Sequence, residues 1–223
     1  MDKNDILSGM IISYQGVDSV KIQFGDTTVA YNPVSKDSKF KSSKYGADIV
    51  LISANHPDLN GVENASRGEK EPFAVTGPGE YEVGGIFIRG FLSKTEYGGE
   101  EKVNTIYLMN LENMNLCFLG VLSSLDVIDS ETSAALDDID ILFVPIGGDG
   151  VLTPAEAAKI SVKIGPKIII PLHFGDGISD TALKTFLKEA GEDGAVAEEK
   201  LTIKKKDLEG KEGDIVVLKP MSV

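Results

Sequence analysis

The 223-residue chain has no tryptophan, one cysteine and two histidines. A lone cysteine excludes an internal disulfide and a cysteine-rich zinc site. Cys117 lies in an apolar run and reads as a small buried hydrophobe rather than a nucleophile. Two imidazoles cap the metal chemistry the chain can support. Positive charge is scarce too: 22 Lys and Arg face 35 Asp and Glu, a formal net charge of −13. That sign repels phosphate backbones, so no nucleic-acid partner is expected. The one dense cationic run, Lys204–Lys206, is followed at once by Asp207 and Glu209 and reads as a solvated strand end or turn. No apolar stretch approaches the ~20 residues of a membrane span. Met1–Asp5 lacks the apolar region of a secretory signal. The expectation is a cytoplasmic protein with no membrane partner.

What is present suffices for a core: 42% of the residues are hydrophobic, which excludes global disorder. The length favours one α/β domain spanning residues 1–223. Val20, Ile22 and Phe24 alternate with polar Lys21 and Gln23, the period of a half-buried strand. With Met10–Tyr14 and Thr27–Tyr31 they form an antiparallel meander that ends at Asn32-Pro33. Asp48–Ser53, Ile139–Pro145 and Lys167–Leu172 are continuous apolar runs suited to buried strands. Phe73–Val75 and Ile86–Phe91 are shorter strands around a turn at Gly77-Pro78-Gly79. Thr105–Leu111 and Leu116–Gly120 pair as a hairpin. Thr153, Pro154 and Glu156 supply an N-cap, a first-turn proline and a capping-box glutamate for a helix reaching Ile164. A second helix covers Asp180–Ala190, and Leu201–Ile203 and Ile215–Leu218 close the chain as strands. Strands gathered early, with strand–helix alternation late, imply two packed sheets with flanking helices.

Few residues can carry chemistry. Neither Gly77–Gly79 nor Gly147–Gly150 has the spacing of a phosphate-binding loop. Asp137, Asp138 and Asp140 read as a solvated strand entry, and Ser123 and Ser124 have no predictable histidine partner. His56 and Asp58 follow the buried strand Asp48–Ser53, and His173 follows Lys167–Leu172. Loops at the ends of buried strands are rigidly based places for ligands. Imidazole and carboxylate suit zinc, iron or manganese, and three protein ligands with one open position make a catalytic site. Two ordinary cleft histidines would give the same spacing.

The flanking residues add more. Ser53-Ala-Asn-His56-Pro-Asp58-Leu59 resembles the metallo-β-lactamase superfamily signature, (Ser/Thr)-His-x-His-x-Asp-His after a strand. Gly77–Ile86, Asn104–Tyr107, Cys117–Gly120, Leu142–Gly147 and Ile170–Phe174 resemble, in order, later blocks of its lactonase-like, Zn-dependent hydrolase branch. The resemblance implies a four-layer αββα sandwich in the α/β (α+β) class. It also implies hydrolysis by a metal-activated hydroxide.

Carried over position by position, the family's first histidine falls on Ala54 and its last motif histidine on Leu59. Its bridging aspartate falls on Val121, and an early strand-end aspartate has become Asn32. A further family histidine would fall near Ser93–Glu96, where there is none. Glu80, Glu82 or Glu96 are the carboxylates that could compensate. His56, Asp58 and His173 remain. They imply either one divalent ion, zinc or manganese, or a metal-free cleft. In the first case Asp58 positions or deprotonates water, and the small-molecule substrate is an ester, lactone or phosphoester. In the second the chain is a catalytically impaired descendant with an unknown protein partner.

Overall fold

The structure is a computed structural model that describes residues 9–41, 43–175, 177–179, 181–192 and 194–221. Strands β1 (Met10–Gly16), β2 (Ser19–Phe24) and β3 (Thr27–Tyr31) form the expected antiparallel meander. β4 (Ile49–Leu51) and β5 (Phe73–Val75) extend it with parallel pairing. The second sheet holds β6 (Gly79–Val83), β7 (Ile86–Thr95), β8 (Lys102–Leu111), β9 (Met114–Phe118), β10 (Ile141–Pro145) and β11 (Ile168–Leu172). β12 (Leu201–Ile203) returns to the first sheet beside β1, and β13 (Asp214–Ile215) joins the second beside β11. The resulting orders are β12-β1-β2-β3-β4-β5 and β13-β11-β10-β9-β8-β7-β6.

Alternation along the strands decides which side chains meet. Val29, Tyr31, Ile49 and Leu51 face the large core between the sheets. Ala30, Val50 and Ile52 point the other way, onto Ala47 and Ala65 with Tyr45 and Val62 beside them. The covering of that outer face is a loop with one 3₁₀ turn, Val62–Ala65. Between the sheets, Tyr31 stacks on Phe118 at 4.5 Å and Phe118 on Phe143 at 4.4 Å. Each such pair adds about 0.5–1.5 kcal/mol beyond its buried area. The Tyr107 hydroxyl crosses from β8 to donate to the Ile52 carbonyl at 2.8 Å.

Helix α1 (Ser130–Ala135) is short, and α2 (Pro154–Ile164) starts at the predicted box. Thr153 Oγ1 accepts from the Glu156 N–H, and Glu156 Oε2 accepts from the Thr153 N–H at 3.0 Å. Gly165, in the left-handed region, ends the helix. α3 (Ala182–Glu189) packs against α2, and the expected start at Asp180 lies outside the described residues. So does Met1–Asp5. Among the described residues no helix is long and apolar enough to cross a membrane.

Four expectations need correction. β6 is a strand where only a turn was expected, and β7 runs on to Thr95. β13 is Asp214–Ile215 rather than Ile215–Leu218. Asp140 is not solvated but wholly buried: its Oδ1 accepts from Lys167 and its Oδ2 from Lys205, both at 2.7 Å. The Asn115 N–H adds a third bond at 2.8 Å. Burial alone would raise this carboxyl's pKa, but the two ammonium groups and the amide outweigh it and hold it below the usual range. The Lys204–Lys206 run is the strand end and turn expected: it leads from β12 into a 3₁₀ turn, Lys205–Leu208, and Lys205 in addition pairs with Asp140.

Candidate functional site

β4, β7, β9, β10 and β11 all end at one edge of the sandwich, so the loops that follow them converge there. This is the edge where ligands gather in open α/β sheets. The β4 loop brings His56 and Asp58, the β7 end Tyr97, the β9 end Val121, the β10 loop Val151 and the β11 end His173.

The β4 loop is tied by its own backbone. The His56 carbonyl accepts from Leu59 at 2.9 Å and Asn60 at 3.0 Å, and the Pro57 carbonyl accepts from Ser35 at 2.8 Å. The Asp58 N–H donates to His56 Nδ1 at 3.2 Å, which leaves the imidazole proton on Nε2. Burial lowers the His56 pKa by more than Asp58 raises it, and Lys102 and Lys39 lower it further. Its Nε2 edge lies against Gly98: a Cβ there would come within 2.9 Å.

His173 sits in left-handed backbone (φ 63°), held by its N–H donating to the Val17 carbonyl at 2.7 Å. It is 3% exposed, and burial drives its pKa down to about 4. The ring packs so closely on Gly147 that any Cβ at that position would stand 2.5 Å from Cδ2. Its Nδ1 is buried with no hydrogen-bond partner among the described residues.

Asp58 is 4% exposed and both carboxylate oxygens are taken. Ser38 Oγ donates to Oδ1 at 2.5 Å, and the Tyr97 hydroxyl donates to Oδ2 at 2.7 Å. Burial first, then the Asp58 carboxylate, pushes the Tyr97 phenol far above its ordinary pKa, so it keeps the proton it donates. The Tyr97 ring packs against both imidazoles. Its centroid is 4.8 Å from that of His56 at 69°, and 5.2 Å from that of His173 at 88°. The Tyr97 N–H donates to Thr95 Oγ1 at 3.0 Å, and Thr95 Oγ1 donates in turn to the Val121 carbonyl at 2.5 Å.

Ala54, Leu59 and Val121, the positions where the resemblance would put ligands, form one apolar cluster with Tyr97 and Val151. Below it, Asn32 Nδ2 donates to Asp18 Oδ2 at 2.7 Å and to Ser53 Oγ at 2.8 Å. Asp18 is wholly buried, and desolvation raises its carboxyl well above the usual range despite the Asn32 amide. Above the cluster opens a cavity of about 920 Å³, with Lys39, Phe40, Glu96 and Asp149 on its walls and His56, Asp58, Tyr97 and His173 at its base.

The three ligand candidates therefore share one cleft, but as arranged they do not fit a divalent ion. An aromatic ring packs against both imidazoles, and each carboxylate oxygen already accepts from a hydroxyl. Among the described residues no group of three or more His, Cys, Asp or Glu side chains could hold a metal. Of the compensating carboxylates, Glu96 lines the cavity. Glu80 and Glu82 lie on β6 away from it, exposed, with Glu80 paired to Arg89 at 3.2 Å. Tyr97 is the site residue that the sequence pattern does not expose. It lies one position beyond the Ser93–Glu96 window, and a phenol is not a residue type that a metal-ligand search selects.

Two mixed sheets with outer helices and a cleft at the strand ends define the metallo-β-lactamase type of sandwich. Residues 11–173 match the beta-lactamase superfamily domain, and the chain belongs to that family. A protein of Listeria welshimeri described as a metal-dependent hydrolase is 25% identical over 197 residues, covering 74% of this chain and 85% of that protein. A similarly described protein of Anoxybacillus flavithermus is 23% identical over 196 residues, covering 74% and 86%. Among solved structures, one assigned as a Zn-dependent hydrolase from Thermotoga maritima superposes with TM-score 0.70. It is 24% identical and covers 94% of this chain and 98% of that one. A metallo hydrolase of Ignicoccus hospitalis shares the fold at TM-score 0.63 and 14% identity, covering 96% and 97%.

Proposed function

We propose that this chain is a catalytically impaired member of the hydrolase family, with a metal-free cleft that binds a small polar molecule. The observation that carries the reading is the apolar packing of Ala54, Leu59, Val121, Val151 and Tyr97 where a two-metal centre would need donors. None of these side chains offers a nitrogen or carboxylate, and each is nearly dry. The cavity above them is large enough for a small molecule. Its carboxylates Asp37, Glu96, Glu101 and Asp149, against Lys39 as the one lining cation among the described residues, favour neutral or cationic ligands over anions.

A second reading is favoured by one observation, the buried and unpartnered Nδ1 of His173. It makes the chain an active hydrolase of esters, lactones or phosphoesters with one zinc or manganese at His56, Asp58 and His173. The relatives described as metal-dependent hydrolases support it. It requires Tyr97 to leave its place and Asp58 to give up two hydroxyl donors.

Elemental mass spectrometry of the purified protein, followed by zinc and manganese titration against thermal unfolding, separates the two. The first reading expects no stoichiometric metal and no shift in Tm. Bound metal that is lost on changing His56, Asp58 and His173 together would replace it with the second.

A further inference from the structure

We propose that Tyr97 takes the place of a cation in this cleft, sealing His56, Asp58 and His173 against divalent metals. The inference rests on the metal-free reading above and names the residue that enforces it.

Each part of the side chain answers to one need of the site. The ring packs against both imidazoles in T-shaped contacts, at 4.8 Å and 5.2 Å between centroids. The hydroxyl donates a hydrogen bond to the carboxylate that would otherwise face a cation. Ser38 covers the other oxygen, so Asp58 is satisfied by neutral donors and needs no counter-ion. The backbone is fastened as well, because Thr95 Oγ1 links the Tyr97 N–H to the Val121 carbonyl. The ring's remaining surface packs on Ala54, Leu59, Val121 and Val151. An ion entering between the histidines would have to displace the phenol and leave that apolar pocket open.

Removing the seal is then expected to uncover a mononuclear site. The experiment compares wild type, Tyr97→Ala, Tyr97→His and Tyr97→Phe by zinc uptake after desalting and by competition with a chromophoric chelator. Circular dichroism checks that each is folded. Tyr97→Ala is expected to gain zinc affinity by ~10–100-fold, because no buried aromatic ring then has to be displaced from its apolar contacts. Tyr97→His, which keeps a planar ring and adds a nitrogen donor, should gain more. Tyr97→Phe should stay zinc-free. Adding His56→Ala and His173→Ala to Tyr97→Ala should abolish uptake.

Folded alanine and histidine variants that take up no more zinc than wild type would overturn the seal and leave the metal-free reading standing. Uptake by Tyr97→Phe equal to that of Tyr97→Ala would overturn the ring's part. Stoichiometric zinc in wild type would defeat both ideas together. Hydrolysis by zinc-free wild type would defeat only the functional reading.

Discussion

The Tyr97 hydroxyl donates to Asp58 Oδ2 at 2.7 Å, joining the end of β7 to the loop after β4 across 39 residues of sequence. Both partners are nearly dry, Tyr97 at 9% and Asp58 at 4% exposure. The bond therefore binds the two sheets together at the cleft. Tyr97→Phe keeps the ring and deletes the donor, at an expected cost of about 1.5–3 kcal/mol. Urea unfolding should show a lower midpoint with an unchanged m-value. An unchanged midpoint would mean that the bond contributes nothing net.

Gly147 is required by His173. A Cβ there would stand 2.5 Å from both Cδ2 and the carbonyl oxygen of that residue. Gly147→Ala should destabilise by about 1–3 kcal/mol, as overpacking of a tight contact does. Thermal unfolding checks it, and a variant as stable as wild type would show that the β11 end yields freely.

Asp140 supplies an acid limb to the stability curve. Its folded pKa is held below the unfolded value by Lys167, Lys205 and the Asn115 amide, against the opposing effect of burial. The contribution is therefore present above the ordinary carboxylate range, near pH 4, and is lost as pH falls through the folded pKa. Asp140→Asn should cost about 1–3 kcal/mol at neutral pH, since both lysines can rehydrate. It should also flatten the wild-type loss on acidification. A parallel pH profile in the variant would rule Asp140 out as its source.

Asp18 acts with the opposite sign. Burial raises its carboxyl, so the folded protein holds a proton that the unfolded chain releases. Its contribution is fully present below about pH 4 and fades as pH rises toward the folded value. Asp18→Asn should be at least as stable as wild type at neutral pH, with a margin that grows on going alkaline. Denaturation midpoints measured across that range decide it, and a variant that loses stability as pH rises would refute the assignment.

Local signals carried much of this fold. The β1–β3 meander, the β8–β9 hairpin and the Thr153–Glu156 box each depend on residues a few positions apart, and each stands as read. The misses depend on distant partners. β6 contains a glycine at φ 145° and two exposed glutamates, and it is a strand because β7 offers its edge. Asp140 sits among charged neighbours in sequence, but Lys167 and Lys205, 27 and 65 residues away, are what draw it under the sheet. At the site, His56, Asp58 and His173 were legible as strand-end polar residues. Tyr97 was not, because its role lies in packing against both histidines and bonding to Asp58.

The lack of tryptophan gives the Tyr97–Asp58 pair an optical use. No indole masks the six phenols in the near ultraviolet, and Tyr97 alone among them stands edge-on to two imidazoles while donating to a carboxylate. A phenol's absorbance and ellipticity respond to proton donation and to asymmetric ring neighbours. Subtracting the Tyr97→Phe spectrum from that of wild type isolates this chromophore. Any molecule that enters the cleft and disturbs its base then reports its own arrival without a label.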